Sequence, residues 1–456
     1  MTGFIRMRAR AAPYWLLFLL LLLPYVYFNH SDGWNQGSRL AELRAVVLKH
    51  SLRIDDYQGM TGDKALVDGH YYSEKAPAIA LIALPAFAIT AWTQSLMGIN
   101  PDSEPARRVS DWTTTAGSLG VLVAAGGVAF FALLRRRVGD GVALLSTISL
   151  FLGSLIFPYA TALFAHSGTV ALLSVALWAI LDRGPTAPQR VYAGGICAGL
   201  ALASEYPAII PVAVLCCFLA YVDRHRARRF AIALIPGVSL ILLKNFLSTG
   251  SPFELLYGFN PQFPHESAAQ GFGHTWPQSR VASALLWSEY RGLFFWNPIM
   301  LMALPGAIAL VRANRAEAMM ILSAIALCFL EVASFRNWYG GNAIGPRYLS
   351  PALPFLGFAV AHGIRRFPRT GAMLAVVSIV LMAMVTAVSI DPAQDVMAPL
   401  TDIYLVRLEQ GRFAPNLGTL AGLSPIPSLL LLAVVMTVIG WSISKVLSRP
   451  RRPARW

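Results

Sequence analysis

Apolar stretches long enough to cross a bilayer recur along the chain, near 13–29, 109–134, 140–158, 165–182, 191–205, 207–223, 229–247, 292–312, 317–335, 348–364, 371–389 and 427–446. A helix needs about 20 apolar residues to span the hydrocarbon core, and a soluble domain does not carry such blocks in series. The chain therefore reads as an all-α polytopic membrane protein of about 12 transmembrane helices, a single integral-membrane domain over residues 1–456. Its composition agrees, at 56% hydrophobic and 13% charged. A net charge of +14 would suggest nucleic acid in a soluble protein, but here the basic residues sit in short clusters between apolar blocks. There they act as topology signals, and nucleic-acid binding is set aside. Cys197, Cys216, Cys217 and Cys328 lie inside apolar blocks without metal-ligand spacing, which implies no disulfide framework. The opening "MTGFIRMRARAAPYWLLFLLLLLPYVYF" has a basic head and an apolar run but no small-residue cleavage site, and is expected to stay as the first span.

With the N-terminus in the cytoplasm, one side receives Arg6, Arg8 and Arg10, Arg135 to Arg137, Arg183 and Arg190, and Arg224 to Arg229. The same side receives Arg312 and Arg315, Arg365 to Arg369, and the run from Lys445 to Arg455, together more than half of the 37 Lys and Arg residues. The positive-inside rule asks for this. Letting the apolar stretch 76–97 cross as well would move every later cluster outside. It is therefore expected to run along or dip into the outer leaflet, short or bent at Pro77 and Pro85. In the alternative reading it crosses, and one of the short blocks 191–205 and 207–223 does not.

The favoured arrangement places both termini in the cytoplasm of an inner (plasma) membrane and leaves 30–108, 248–291, 336–347 and 390–426 outside. In the first outer loop, juxtamembrane helices are expected. There "GSRLAELRAVVLKHS" sets Leu40, Leu43 and Val47 opposite Arg39, Glu42 and Lys49, the pattern of an amphipathic helix on the membrane surface. The tail "SRPRRPARW" suits lipid headgroups.

Ionisable residues gather at the outer ends of the spans: Lys75, Arg107, Arg108, His166, Glu205 beside Tyr206, Lys244, Arg291, Glu331 and Arg347. Such groups are costly in a membrane unless they face a wet cavity or a partner, so together they imply a polar cavity at the outer face. Cations at that depth suit a phosphate headgroup whose lipid tail stays in the bilayer. The first outer loop supplies acids, Asp32, Asp55, Asp56, Asp63, Asp68 and Glu74, although it also carries enough cations to be an ordinary solvated loop. Sugar transfer needs a carboxylate to accept the acceptor's proton while cations stabilise the departing phosphate. "FRNWYGGNAIGPRYLSPALPF" places Trp338 and Tyr339, whose faces suit sugar rings, beside Gly340 and Gly341. His265, Glu266 and His274 fit no familiar metal-ligand spacing, and no metal site is assigned.

These features resemble the integral-membrane glycosyltransferases of the C superfamily (GT-C), which include protein O-mannosyltransferases and lipid A aminoarabinose transferases. The order of features matches along most of the chain. "YYSEKAP", with Tyr72 and Lys75, is similar to the family's aromatic-x-x-Lys-Pro-Pro element, with Ala76 in place of the first proline. "GPRYLSPALPFL" looks like its Gly-x-Arg-Tyr-x-x-Pro-x-x-Pro stretch. The resemblance implies a polyprenyl-phosphate-linked sugar as donor, with Lys75 and Arg347 on its phosphate and Arg107 or Arg108 assisting; Tyr72, Glu205, Tyr206, Trp338 and Tyr339 are expected to line the cavity. Where family members carry an acidic pair after the first span, this chain reads "WNQGSRL", with the amides Asn35 and Gln36. The base is then Asp32, Asp55, Asp56 or Asp63, with His166 as a further candidate.

The expected function is transfer of a sugar from a polyprenyl phosphate to a cell-envelope glycan, lipid or protein at the outer face, with inversion if displacement is direct. Its partners are membrane lipids, the lipid-linked donor and that acceptor; whether a divalent metal takes part is left open. The alternative is a transporter or lipid-linked sugar flippase of twelve spans. Such proteins usually bind at mid-membrane between related halves, which this chain does not display.

Overall fold

The computed structural model describes residues 2–182 and 187–448, and side chains from residue 11 onward except that of Ala187. Arg183, the side chains of Arg6, Arg8 and Arg10, and the basic tail after Ser448 lie outside the described residues.

Each apolar block of the sequence is helical or nearly so. Among the described residues six helices are long and apolar enough to cross a membrane: Ala78–Leu96, Glu104–Arg135, Arg224–Thr249, Arg315–Ser334, Pro368–Val388 and Pro425–Ser448. Shorter apolar helices cover Ala11–Tyr27, Asp140–Leu152, Ala165–Leu181, Tyr206–Val222 and Pro298–Ala313. The helix Ala165–Leu181 is the most enclosed, buried on nearly its whole circumference. An all-round apolar helix belongs in the middle of a bundle, and this one packs against its neighbours on every side.

The turns carrying arginines come together at one end of the bundle. Arg137 donates to Glu317 (2.7 Å) and to the Leu181 carbonyl (2.8 Å). Arg136 and Arg190 both pair with Asp182. Arg226 donates to the Ile180 carbonyl (2.5 Å), and Arg365 to that of Arg137 (3.1 Å). Helix C-termini present unpaired carbonyls and partial negative charge, which guanidinium groups satisfy.

The first long connection builds the opposite end. It follows α1 (Thr2–Tyr27) and begins with α2 (Trp34–Lys49). The structure corrects the reading of α2 as a surface helix: Arg39, Glu42 and Arg44 are buried together with Leu40 and Leu43, so its polar face is turned inward. Its second departure from the expected all-helical loop is a hairpin, β1 (Lys64–Val67) and β2 (His70–Ser73). The two strands join through Asp68 (φ 48°) and Gly69 (φ 80°). Asp-Gly is the preferred pair for a two-residue turn that needs positive φ twice, and this turn fixes the register. Lys64 pairs with Ser73, so Asp63 sits across from Glu74 and beside Lys75.

After the hairpin, α3 (Ala78–Leu96) turns back against α4 (Glu104–Thr115), which continues through a π turn at Ala116–Gly120 into α5 (Val121–Val138). Pro85 lies inside α3, which stays one helix rather than breaking there. Gln94 donates to the Ala106 carbonyl (2.9 Å), Thr90 bonds Thr113 (3.0 Å), and Ala86 lies opposite Gly117. The pairing therefore covers α4 and the π turn only. It stops about 22 Å of helix short of Arg135, at 1.5 Å per residue, so α3 does not run the length of the helix it accompanies.

Candidate active site

Lys75, at the foot of α3, is the centre of a buried polar cluster. Its ammonium lies 2.8 Å from Asp63 and 2.8 Å from Glu74 and 5.2 Å from the centre of the Tyr257 ring. The second oxygen of Glu74 accepts from Asn260 (2.6 Å). Ser38 of α2 donates to the Asp63 carbonyl (2.6 Å) and bonds Ser73 (2.9 Å), clamping the hairpin to the helix. Burial works against the Lys75 charge, yet Asp63 and Glu74 hold its pKa well above the usual range. Burial, offset in part by Lys75 and reinforced by Asp63, pushes Glu74 up to about 7. Two carboxylates share one ammonium here, and Glu74, the more deeply buried, keeps a proton to near-neutral pH.

Beside this group Lys244 pairs with Glu42 (2.7 Å) and donates to the Lys75 carbonyl (2.7 Å). Asn35, Arg39 and Glu42 follow one another at spacings of four and three on α2 and so share a face. Arg39, 2% exposed, donates to the Asn35 side-chain oxygen (2.6 Å) and to the Asn35 carbonyl (3.0 Å). Burial lowers its pKa against the pull of Tyr257, Glu205, Asp63 and Glu42. Among the described residues no carboxylate lies within ion-pair distance of Arg39, and its Nε has no partner.

Arg347 is the second such cation. Its guanidinium lies over the rings of Phe164 (5.7 Å) and Tyr348 (5.1 Å), with one contact to the Tyr348 hydroxyl at 3.4 Å. The residue is only 9% exposed, its Nε is buried without a partner, and again no described carboxylate pairs with it. Gly340 (φ 73°) makes room, since a Cβ there would fall 2.7 Å from Arg347 Nε. Asp63 lies within Coulombic reach of Arg347, Arg39 and Lys75 alike.

His166 lies against the same two rings as Arg347, 5.9 Å from Phe164 and 5.8 Å from Tyr348 between centroids. Its Nδ1 is 2.7 Å from Glu205, and its Nε2 is buried without a partner. Tyr206 packs edge-on against Tyr257 (5.8 Å).

Of the residues singled out from sequence, Asp63, Lys75, His166, Glu205, Tyr206 and Arg347 come together. Asp55 instead bonds His70 (2.8 Å) in the hairpin, Asp56 is exposed near Lys49 (3.7 Å), and Asp32 is exposed. Arg108 is exposed and pairs with Glu104 (2.5 Å), while Arg107 faces Asp102 (3.6 Å). Both sit at the far end of α3 from Lys75, about 28 Å along that 19-residue helix. Tyr72 packs with Ala65, Val67 and Leu256, and its hydroxyl accepts from Arg53 (3.4 Å). Trp338 packs on Tyr290 (5.9 Å), and the Tyr339 carbonyl accepts from Arg291 (2.7 Å), so this pair shapes the loop that carries Gly340. Glu42, Tyr257 and Asn260 were not assigned to a site from sequence, and Lys244 was placed only among the ionisable groups at the outer span ends. Among the described residues no three His, Cys, Asp or Glu side chains are placed to hold a metal.

No family model and no curated protein matches the chain. Solved structures do. ArnT from Cupriavidus metallidurans bound to undecaprenyl phosphate aligns with 98% of this chain and 74% of its own, at 16% identity and a TM-score of 0.51. The oligosaccharyltransferase of Archaeoglobus fulgidus, in its apo form, aligns with 85% of this chain and 56% of its own, at 13% identity and a TM-score of 0.50. The chain thus has a GT-C-like fold, that of an all-α, multi-pass membrane protein.

Proposed function

We propose that this protein is a membrane glycosyltransferase that takes a sugar from a polyprenyl-phosphate donor and passes it to a cell-envelope glycan, lipid or protein. In this reading the Lys75 cluster lies at the outer face of the inner membrane and the arginine-rich end, with both termini, lies in the cytoplasm. The observation that carries it is Arg347, a buried guanidinium without a carboxylate. A buried charge left unpaired is destabilising, and a phosphate supplies the missing partner. The undecaprenyl phosphate bound by ArnT, which shares the fold, is a ligand of that chemistry.

Arg347 and Arg39 would meet the phosphate oxygens, and the ammonium groups of Lys75 and Lys244 each keep one proton not used by the two partners described. As the bond from the anomeric carbon to the phosphate oxygen breaks, negative charge grows on the phosphate, and fixed cations stabilise that state most. Direct displacement inverts the anomeric carbon.

The test uses the protein in nanodiscs with a panel of undecaprenyl-phosphate hexoses and pentoses and a cell-envelope fraction as acceptor. Acceptor-dependent release of undecaprenyl phosphate from at least one donor is expected, falling about 100-fold or more in Arg347→Ala. A protein that consumes no donor, and that undecaprenyl phosphate does not stabilise against heat, contradicts the reading.

A further inference from the structure

We infer that His166 and Glu205 form the general-base pair of the transfer, His166 Nε2 taking the proton of the acceptor and Glu205 holding the imidazole. This rests on the transferase reading above.

The acids of the first loop are otherwise engaged. Asp63 and Glu74 both face the Lys75 ammonium, Glu42 faces Lys244, and Asp55 faces His70. Both oxygens of Glu74 are taken, one by Lys75 and one by Asn260, and Asp63 is held by the Lys75 ammonium. Asp32 and Asp56 are exposed to solvent. Asn35 and Gln36 are amides and accept no proton at neutral pH, and Asn35 is already bonded to Arg39.

His166 has the arrangement that a base requires. It opens the helix Ala165–Leu181, while Glu205 lies in the non-helical turn after Leu202. Glu205 sits 2.7 Å from Nδ1. A carboxylate there fixes the proton on Nδ1 and leaves the Nε2 lone pair free. That Nε2 is buried and has no protein partner, in a residue 2% exposed. A buried polar atom normally finds a hydrogen bond, so an orphan on this scale points to a bond supplied by a ligand. The location fits, because His166 and Arg347 lie on the same Phe164 and Tyr348 rings. The proton acceptor and the phosphate-facing cation are thus neighbours.

In the step, the acceptor oxygen forms its bond to the anomeric carbon as its proton passes to His166 Nε2. The bond between that carbon and the phosphate oxygen breaks, its electron pair leaving with polyprenyl phosphate. Glu205 stabilises the imidazolium until the proton returns to solvent.

The test follows turnover of full-length protein in nanodiscs on an undecaprenyl-phosphate sugar that the wild type consumes. His166→Gln removes the basic nitrogen and keeps a polar amide near the Nε2 position. Its kcat is expected to fall about 100-fold or more, with donor KM and thermal stabilisation by undecaprenyl phosphate unchanged. Glu205→Gln should lower kcat by roughly 10-fold or more with the same KM, and added imidazole should restore part of the turnover of His166→Gly. Wild-type kcat in His166→Gln, or a loss confined to donor KM, overturns the pair and leaves the transferase reading standing. A wild type that neither consumes a donor nor is stabilised by undecaprenyl phosphate overturns both.

Discussion

At the end of the bundle that holds Arg137, the arginines are answered by the protein itself: Glu317 for Arg137, Asp182 for Arg136 and Arg190, and helix carbonyls for Arg226 and Arg365. At the end that holds Lys75, the two lysines have carboxylates, but among the described residues Arg39 meets only uncharged oxygens, chiefly those of Asn35, and Arg347 meets only the Tyr348 hydroxyl and two ring faces. Both ends are rich in cations, so charge alone does not separate an architectural cluster from a binding site. What separates them is the balance of partners. A cation with its carboxylate in place contributes to the fold, whereas a buried cation without one is held at some expense of stability and gains from a ligand.

The contrast breaks if substitutions at the two kinds of cation behave alike. Lys75→Met strands Asp63 and Glu74 without their ammonium, and is expected to destabilise the protein by about 3–5 kcal/mol, read as a lower unfolding temperature. Arg137→Met removes one partner of Glu317 at the other end and should cost about 1.5–3 kcal/mol while leaving lipid-phosphate binding as in the wild type, measured by ligand-induced stabilisation.

A pH series sharpens the same point. The Glu74 carboxyl is raised to about 7 from an ordinary 4.5, so the folded state holds a proton there that the unfolded chain gives up. Its contribution is fully present below about pH 4.5 and is lost as pH rises through about 7. The unfolding temperature of the wild type should therefore fall across that window more than that of Glu74→Gln; parallel curves would contradict the assignment. The smallest effect is expected at Arg108→Ala, an exposed pair with Glu104, within about 0.5 kcal/mol and without change in lipid-phosphate binding.

The spans were legible because a 20-residue apolar block has few other uses. Lys75 and Arg347 were legible because each stands in a short element with proline and aromatic neighbours. Asp63 was not distinguishable from the other loop acids, since its place beside Lys75 depends on strand register. The "LVDGHYY" run did carry that signal, an Asp-Gly turn between residues that suit strands. Arg39 was misread as facing water because a polar helix face has the same pattern whether it meets headgroups or a buried cluster. The resemblance placed Arg107 or Arg108 beside Lys75 on the donor phosphate, but α3 holds both about 28 Å from Lys75. The pairing of Glu42 with Lys244 joins distant segments and had no local trace.

The central claim is that Arg347 is a cation awaiting a phosphate. Thermal unfolding of the wild type and of Arg347→Met in nanodiscs, each with and without undecaprenyl phosphate, tests it most directly. The ligand-free variant is expected to be at least as stable as the wild type, while stabilisation by undecaprenyl phosphate is lost. A variant that is destabilised without ligand yet stabilised by undecaprenyl phosphate as strongly as the wild type would contradict it.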